Sequence, residues 1–388
     1  EKAEPAAMMR VSMIPLVATP MITPASTPAK EIEKVKEKGK EDTNGLPPLE
    51  GMPLPADAYT NLGSTYTCRV LNGMWQVSGA HGYEPERADV VSEMTRAAEA
   101  GFTTFDVADI YGPAEDFVGS FRKGKYASTS SWDCQYFTKW VPRPTKMTKA
   151  QVDTAIGRSL TRMQTGELDL LQFHWWDYDN KYYFNAMDGL MGLRQQGQIK
   201  NIGLTNFDTE HMLGLLDQGA PLVSNQVAFS IIDARPLELM VPACTEKGVK
   251  LLCYATLMGG FLSERWIGKP EPSMEKLTNV SLRKYLPWIR AWGGWGLLQE
   301  LLRTLGIVAK KHNVSVSNVA VRWVLQQAAV GGAIVGVRMG LSQHVEDNKR
   351  TFSFALDGED LAAIDAVRSK GRNLMDYFGD CGGEYRRI

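Results

Sequence analysis

From about Tyr66 onward, short apolar and β-branched runs alternate with longer stretches in which apolar residues recur every three or four positions. The short runs are typical of buried strands, and the longer period is that of an amphipathic helix. The pattern predicts eight strands, at Cys68–Leu71, Thr103–Asp106, Cys134–Thr138, Leu168–Phe173, Ile199–Gly203, Leu222–Gln226, Val249–Cys253 and Gly332–Val335.

Helix boundaries between these runs carry their own signals. Thr148 and Gln151 have the spacing of a capping box, which predicts that a helix begins at Thr148. Gly101 follows the helical stretch Ala88–Ala100 and suits the left-handed conformation in which many helices end. A third helix is predicted at Ser317–Ala328.

Eight strands that are each followed by a crossover helix must pair in parallel. The simplest arrangement of such strands and helices is a closed sheet, the (β/α)8 or TIM barrel, which is an α/β fold. A doubly wound open sheet is the alternative, but it usually carries a G-x-G-x-x-G turn after its first strand. The sequence contains neither that turn nor a G-x-x-x-x-G-K-[ST] phosphate loop, which favours the barrel.

Two segments fall outside this pattern. Residues 1–60 are rich in proline and include a charged run at 30–42, so we expect a mobile or draped N-terminal extension before a barrel and C-terminal tail at 61–388. Residues 266–296, after the seventh strand, are rich in proline, glycine and tryptophan. That composition indicates a long loop over the mouth of the barrel, or else tryptophans that pack on its rim.

Composition excludes several classes of protein. The 43 Lys and Arg residues balance 44 Asp and Glu residues, so the charge gives no reason to expect a nucleic-acid partner. Five scattered cysteines without a C-x-x-C pair argue against a disulfide framework or a zinc knuckle. Five histidines without an H-x-H or H-E-x-x-H cluster make a metal-dependent hydrolase a weak alternative, and no apolar stretch is long enough to span a membrane.

The functional residues of a (β/α)8 barrel lie at the carboxyl ends of its strands, because the βα loops converge there on one mouth. Polar residues follow the predicted strands at these positions. Asp106, Lys139 and His174 end the second, third and fourth strands, and Tyr111 follows in the second loop. Later strands contribute Thr205, Asn206, Gln226, Tyr254 and Arg338.

These residues form a chemical set. A tyrosine has an ordinary pKa of about 10 and donates a proton near neutrality only with help, which Lys139 could give by stabilising the phenolate of Tyr111. Asp106 would hold the ammonium, and a neutral His174 would orient a carbonyl oxygen. The hydride must come from a nicotinamide, on which Tyr254 could stack while Thr205, Asn206 and Gln226 bind its carboxamide.

The order of these residues resembles that of the aldo-keto reductase family over about residues 66–370. The matching elements are Asp106-Val-Ala-Asp-Ile-Tyr111-Gly112, Phe137-Thr-Lys139-Trp, Leu168-Asp-Leu-Leu-Gln-Phe-His174, Ile202-Gly-Leu-Thr-Asn-Phe207 and Asn225-Gln226. The resemblance implies that Tyr111 donates the proton, that Lys139 and Asp106 tune it, and that His174 orients the substrate.

Further stretches, such as Gln172-Phe-His-Trp-Trp-Asp177 and Gly379-Asp-Cys-Gly382, are similar to a poorly characterised plant-type branch of the family with plastid-targeted members. A plastid location is therefore expected, with the cytoplasm as the alternative. The family's Y-S-P-L element is replaced by Tyr254-Ala-Thr-Leu257, with Leu257 retained as a cofactor contact.

The resemblance also implies where the adenosine end of the cofactor binds. Gly336, Arg338, Gln343 and Asn348 match the family's residues there, in a stretch about two residues longer than is common, so the register of Gln343 against His344 stays open. Arg338 beside a predicted helix start at Ser342 suits a 2′-phosphate and favours NADPH over NADH.

Two functions remain open from the sequence alone. The first is reduction of a small-molecule aldehyde or ketone with NADPH. The second is a cofactor-binding, redox-sensing or auxiliary subunit, docked to a larger, possibly membrane-bound, complex through the N-terminal extension.

Overall fold

A computed structural model describes Leu46 and residues 53–386, apart from 80, 83, 125–132 and 342–343. Eight parallel strands close a barrel, which confirms the predicted fold. In their order around the barrel the strands are β10 (Val330–Gly336), β3 (Val70–Gly73), β4 (Thr104–Asp106), β5 (Gln135–Trp140), β6 (Leu170–His174), β7 (Ile202–Thr205), β8 (Leu222–Ala228) and β9 (Lys250–Tyr254).

The barrel strands are apolar on both faces because helices cover their outer side while side chains fill the inside. Leu71, Phe137, Leu170, Leu252 and Ile334 meet in the interior cluster. The larger apolar cluster lies between the strands and the surrounding helices. The barrel is therefore a packed core, and polar groups are concentrated at the ends of its strands.

An antiparallel hairpin, β1 (Tyr59–Leu62) and β2 (Thr65–Cys68), precedes the barrel. Leu62 joins the interior cluster, and the Asn201 side chain donates to Thr65 Oγ1 at 2.8 Å. The predicted first strand at 68–71 is wrong in its bounds, because it straddles β2 and β3. The apolar run contains no turn signal, and the two strands separate at Arg69, whose guanidinium donates to the carbonyl of Leu325 at 2.6 Å.

The helices are α1 (Arg87–Glu99), α2 (Ala114–Lys123), α3 (Lys149–Met163), α4 (Tyr182–Gln195), α5 (Thr209–Asp217), α6 (Met240–Lys247), α7 (Val280–Trp292), α8 (Gly294–His312), α9 (Val316–Leu325), α10 (Val345–Lys349), α11 (Gly358–Arg368) and α12 (Met375–Phe378). The capping box is confirmed, since Gln151 N donates to Thr148 Oγ1 at 3.3 Å and Thr148 N donates to Gln151 Oε1 at 2.8 Å. Gly101 has a φ of 96°, as its predicted left-handed role requires.

The long segment after β9 differs from the predicted loop. Much of it forms α7, which continues through Pro287, and the start of α8. Burial of Leu286, Ile289 and Trp292 on one face of α7 stabilises the helix despite the proline. Trp288 is buried as well, so both tryptophans of α7, Trp288 and Trp292, pack into the protein rather than project over the mouth.

Within the described residues, no helix has both the length and the apolar character that crossing a bilayer requires. The same residues contain no cluster of three or more side chains that could hold a metal ion.

Candidate active site

An ion pair lies at the carboxyl ends of β4 and β5. Lys139 Nζ is 2.6 Å from Asp106 Oδ2, and both side chains are almost completely buried. The ammonium also donates to the carbonyl of Val107 at 2.9 Å. An ion pair that is buried away from water needs a short distance and further hydrogen bonds such as these. Without them, the cost of desolvating the two charges outweighs their attraction.

The second oxygen of Asp106 is bound by two glutamines. Gln172 donates to Asp106 Oδ1 at 2.9 Å and Gln226 does so at 2.8 Å. Gln226 also donates to Gln172 Oε1 at 2.6 Å. The structure thus joins Gln226 to the acid of the ion pair, an interaction that differs from the carboxamide contact expected of it.

Tyr111 lies against this ion pair, with the centre of its ring 4.8 Å from Lys139 Nζ. Burial, and then the carboxylate of Asp106, raise the pKa of Tyr111 well above its ordinary value. The cation that opposes this rise is Lys284 of α7. The phenol is therefore protonated at neutral pH. The acidification of Tyr111 that Lys139 is expected to provide stays a prediction.

His174 ends β6 and is buried. Desolvation, followed by the charges of Arg386 and Lys139, lowers the pKa of His174 to about 3, so the imidazole is neutral at any working pH. Its Nε2 atom is buried without a hydrogen-bond partner among the described groups. A buried ring nitrogen of this kind is free to bind a ligand oxygen.

Three residues expected at the nicotinamide lie close together. Thr205 ends β7, Asn206 follows with a φ of 58°, and Tyr254 ends β9. The Tyr254 hydroxyl lies 2.8 Å from Asn206 Oδ1 and 2.9 Å from Glu384 Oε1, so these two acceptors share its single proton.

The C-terminal tail, residues 379–386, crosses the same end of the barrel, and no pattern in the sequence predicts this. Glu384 forms a salt bridge of 3.0 Å with Arg235. The Arg235 guanidinium also donates two hydrogen bonds, of 2.8 and 2.9 Å, to the carboxylate of Asp233. All three side chains are buried. Although burial acts to raise it, the pKa of Glu384 is lowered, chiefly by Arg235.

Arg386 fixes the end of the described tail. Its guanidinium stacks 4.0 Å from the centre of the Tyr178 ring and donates to the carbonyls of Trp175 and Asn206. Gly382 packs so tightly on Asn206 that a Cβ would lie 2.0 Å from its carbonyl oxygen. The tail is therefore part of the wall of the mouth.

The residues expected at the adenosine end follow β10. Gly336 and Asn348 line one small cavity of about 40 Å³, and Arg338 is exposed beyond the strand. Leu257 lies in the turn after β9 and is partly buried. Gln343 and Ser342 lie outside the described residues.

These groups fit a nicotinamide cofactor. Hydrogen-bonding groups and an aromatic ring stand at the ends of neighbouring strands β7, β8 and β9, and the exposed arginine lies after β10 on the other side of β9. A dinucleotide with one end at Asn206 and Tyr254 would extend past β9 towards Gly336 and Arg338. The orphaned Nε2 of His174 remains for a substrate.

Comparison with known proteins agrees with this architecture. Residues 69–369 match the model of the aldo/keto reductase family. The chain is 26% identical over 309 residues to a chloroplastic pyridoxal reductase of Arabidopsis thaliana, covering 76% of this chain and 80% of that protein. It is 30% identical over 304 residues to a putative methylglyoxal reductase of Salmonella typhi, covering 78% and 90%.

Among solved structures, a glycerol dehydrogenase from Gluconobacter oxydans superimposes with a TM-score of 0.67 at 23% identity, over 84% of this chain and 98% of the other. This similarity supports the fold. The family match extends over most of the chain, and the protein belongs to the aldo/keto reductase family. It is accordingly an NAD(P)H-linked oxidoreductase.

Proposed function

We propose that the protein reduces an aldehyde or ketone to the alcohol, with NADPH as hydride donor and Tyr111 as proton donor. The observation that carries this proposal is the juxtaposition of Tyr111 with the Lys139–Asp106 pair at one mouth. Relatives named as reductases of pyridoxal and methylglyoxal support a carbonyl substrate.

When bound, the reduced nicotinamide supplies the hydride that the carbonyl carbon accepts. The negative charge then develops on the carbonyl oxygen, where a positioned donor is most effective. Tyr111 gives its phenolic proton to that oxygen, and the product is the alcohol. Lys139, held by Asp106, lies under the ring and stabilises the phenolate that is left until solvent returns a proton.

His174 positions the carbonyl oxygen. A neutral imidazole has one N–H, and its unpartnered Nε2 can donate to the oxygen before and during reduction. Because the pKa of His174 is lowered to about 3, the ring binds without competing with Tyr111 as an acid.

The preference for NADPH rests on Arg338, whose exposed guanidinium can bind a 2′-phosphate through two bonds. Asn206 and Tyr254 would hold the nicotinamide end. A plastid location is supported by the chloroplastic relative.

Turnover tests the proposal. Purified protein with NADPH and a panel of aldehydes is expected to consume the cofactor continuously, followed at about 340 nm, where reduced nicotinamide absorbs. Tryptophan fluorescence quenching by NADPH, without consumption of any carbonyl compound, would contradict the proposal and favour a cofactor-binding auxiliary subunit.

A further inference from the structure

Lys284 is a second lysine at the mouth of the barrel, and the reaction described above does not use it. It lies on α7, in the segment that follows β9. Its Nζ atom donates to the hydroxyl of Tyr385 in the C-terminal tail at 2.8 Å. The ammonium therefore links the helix after β9 to the tail.

Four aromatic rings surround this ammonium. The ring centres of Tyr385, Tyr285, Tyr254 and Trp75 lie 5.0, 5.3, 5.5 and 5.8 Å from Nζ. The faces of aromatic rings attract a cation, which partly replaces the water lost on burial. Such rings stabilise the charge but form no salt bridge with it.

No carboxylate of the described residues lies within 4.0 Å of Lys284 Nζ, which distinguishes it from Lys139. Glu384 is the acid that acts on it, but the oxygens of Glu384 already bind Tyr254 and Arg235. Although burial acts to lower it, the pKa of Lys284 is raised by Tyr285, Tyr385 and Glu384. The lysine is thus a charged donor whose only hydrogen bond among the described residues goes to one phenol.

The ammonium also borders the space in which reduction would occur. Its charge acts on Tyr111, as does the hydroxyl of Tyr385. The ring of Tyr385 meets that of His174 edge-on at 5.8 Å. Tyr385 therefore contacts both Lys284 and His174, and the charge of Lys284 reaches the proposed proton donor.

We propose that Lys284 binds an anionic group of the substrate, so that the enzyme prefers aldehydes or ketones bearing a carboxylate or a phosphate. The anion would accept N–H bonds from Lys284, with Tyr385 and Trp75 as the walls of the subsite. This inference rests on the proposed carbonyl reduction, which it refines by naming a class of substrate.

Matched pairs of substrates test it. Benzaldehyde and 4-carboxybenzaldehyde differ by a carboxylate, and glyceraldehyde and its 3-phosphate differ by a phosphate. The quantity to compare is the ratio of kcat/KM for the charged member to that for the neutral member. In Lys284→Met this ratio is expected to fall about 10- to 100-fold, the range expected for loss of a hydrogen bond to a charged group, and mostly through KM.

Two further variants separate binding of an anion from a structural role. Lys284→Arg keeps the charge and should restore most of the ratio. Arg283→Met removes a cation from the same helix at an exposed position and should leave the ratio unchanged. An unchanged ratio in Lys284→Met for both pairs, with a melting temperature close to that of the parent, would overturn the inference while leaving carbonyl reduction intact. If only one pair responds, the responding group identifies the anion.

Binding of the product alcohols gives a readout that does not depend on turnover. In the presence of NADP⁺, 4-(hydroxymethyl)benzoate should bind the parent more tightly than benzyl alcohol does, and Lys284→Met should remove that difference. Equal affinity in the parent for these two alcohols, together with equal affinity for glycerol 3-phosphate and glycerol, would contradict the inference. Failure of the proposed function would appear separately, as the absence of NADPH consumption with every aldehyde.

Discussion

Tyr254 and Glu384 are 130 residues apart in the chain, and a hydrogen bond of 2.9 Å joins them. The bond connects the tyrosine expected to stack on the nicotinamide to a carboxylate that Arg235 holds in place. Through it, the C-terminal tail controls the orientation of a residue at the end of β9.

Replacing this carboxylate should weaken both the tail and the cofactor site. For Glu384→Ala we expect a loss of about 3 kcal/mol in the free energy of unfolding, since a buried partner of Arg235 is removed. The dissociation constant of NADPH should rise several-fold because Tyr254 loses an acceptor. Urea unfolding and fluorescence titration measure these effects. Glu359→Ala, at an exposed position, serves as the control, and equal behaviour of the two variants would contradict this role of the tail.

The Lys139–Asp106 pair should matter for both folding and chemistry. Asp106→Asn leaves Lys139 buried without a counter-ion, so the free energy of unfolding should fall by about 3–5 kcal/mol. kcat should fall about 100-fold or more, as expected for a defect in proton transfer. The matched change at an exposed pair, Asp153→Asn beside Lys149, should cost less than about 1 kcal/mol. A similar loss of unfolding free energy in the two variants would contradict the importance of the buried Lys139–Asp106 pair.

His174 should make stability depend on pH in a definite direction. Its pKa is lowered to about 3 in the folded protein, against about 6.5 unfolded, so the unfolded chain binds the extra proton between these values. The contribution is complete above pH 6.5 and is lost as the pH falls towards 3. Asp109, whose pKa burial raises to about 6, acts in the opposite direction.

Comparison of the parent with His174→Gln separates the contribution of the histidine to the pH dependence of stability from that of carboxyl groups such as Asp109. The parent should lose more stability than the variant between pH 7 and about pH 4, as measured by urea unfolding at each pH. Parallel pH profiles for the two proteins would show that the imidazole is not kept neutral by burial.

Arg338 should distinguish the two cofactors. Arg338→Ala removes an exposed cation beyond β10 and with it both proposed bonds to the 2′-phosphate. We expect the dissociation constant of NADPH to rise about 10-fold or more, because hydrogen bonds from a charged group are lost. NADH lacks the 2′-phosphate, and its affinity should stay the same. Equal weakening of both cofactors in a fluorescence titration would place Arg338 elsewhere than at the 2′-phosphate.

Much of the fold follows from local signals in the sequence. The capping box at Thr148 and the left-handed Gly101 are determined by residues close by in the chain, and the structure contains both. The proximity of Asp106 to Lys139 is predictable from the order of the strands, because parallel neighbouring strands end at the same edge. The bounds of β2 and β3 are not predictable in this way, since one apolar run serves both strands.

The rest of the site depends on contacts between distant parts of the chain. Glu384 and Arg235 are 149 residues apart, and no period or motif relates them. Lys284 is not predicted at the mouth because it lies in the segment 266–296, whose prolines and glycines indicate a loop, whereas the structure forms a helix there. Gln172 has a usable signal: it is two residues before His174, and alternate residues of a strand point to the same side.

The proton donor is tested most directly by Tyr111→Phe. The variant should bind NADPH as the parent does, measured by tryptophan fluorescence, while the single-turnover rate with a reactive aldehyde falls about 100- to 10,000-fold. Reduction of that aldehyde at the parent rate would contradict the central claim that the Tyr111 hydroxyl protonates the developing alkoxide.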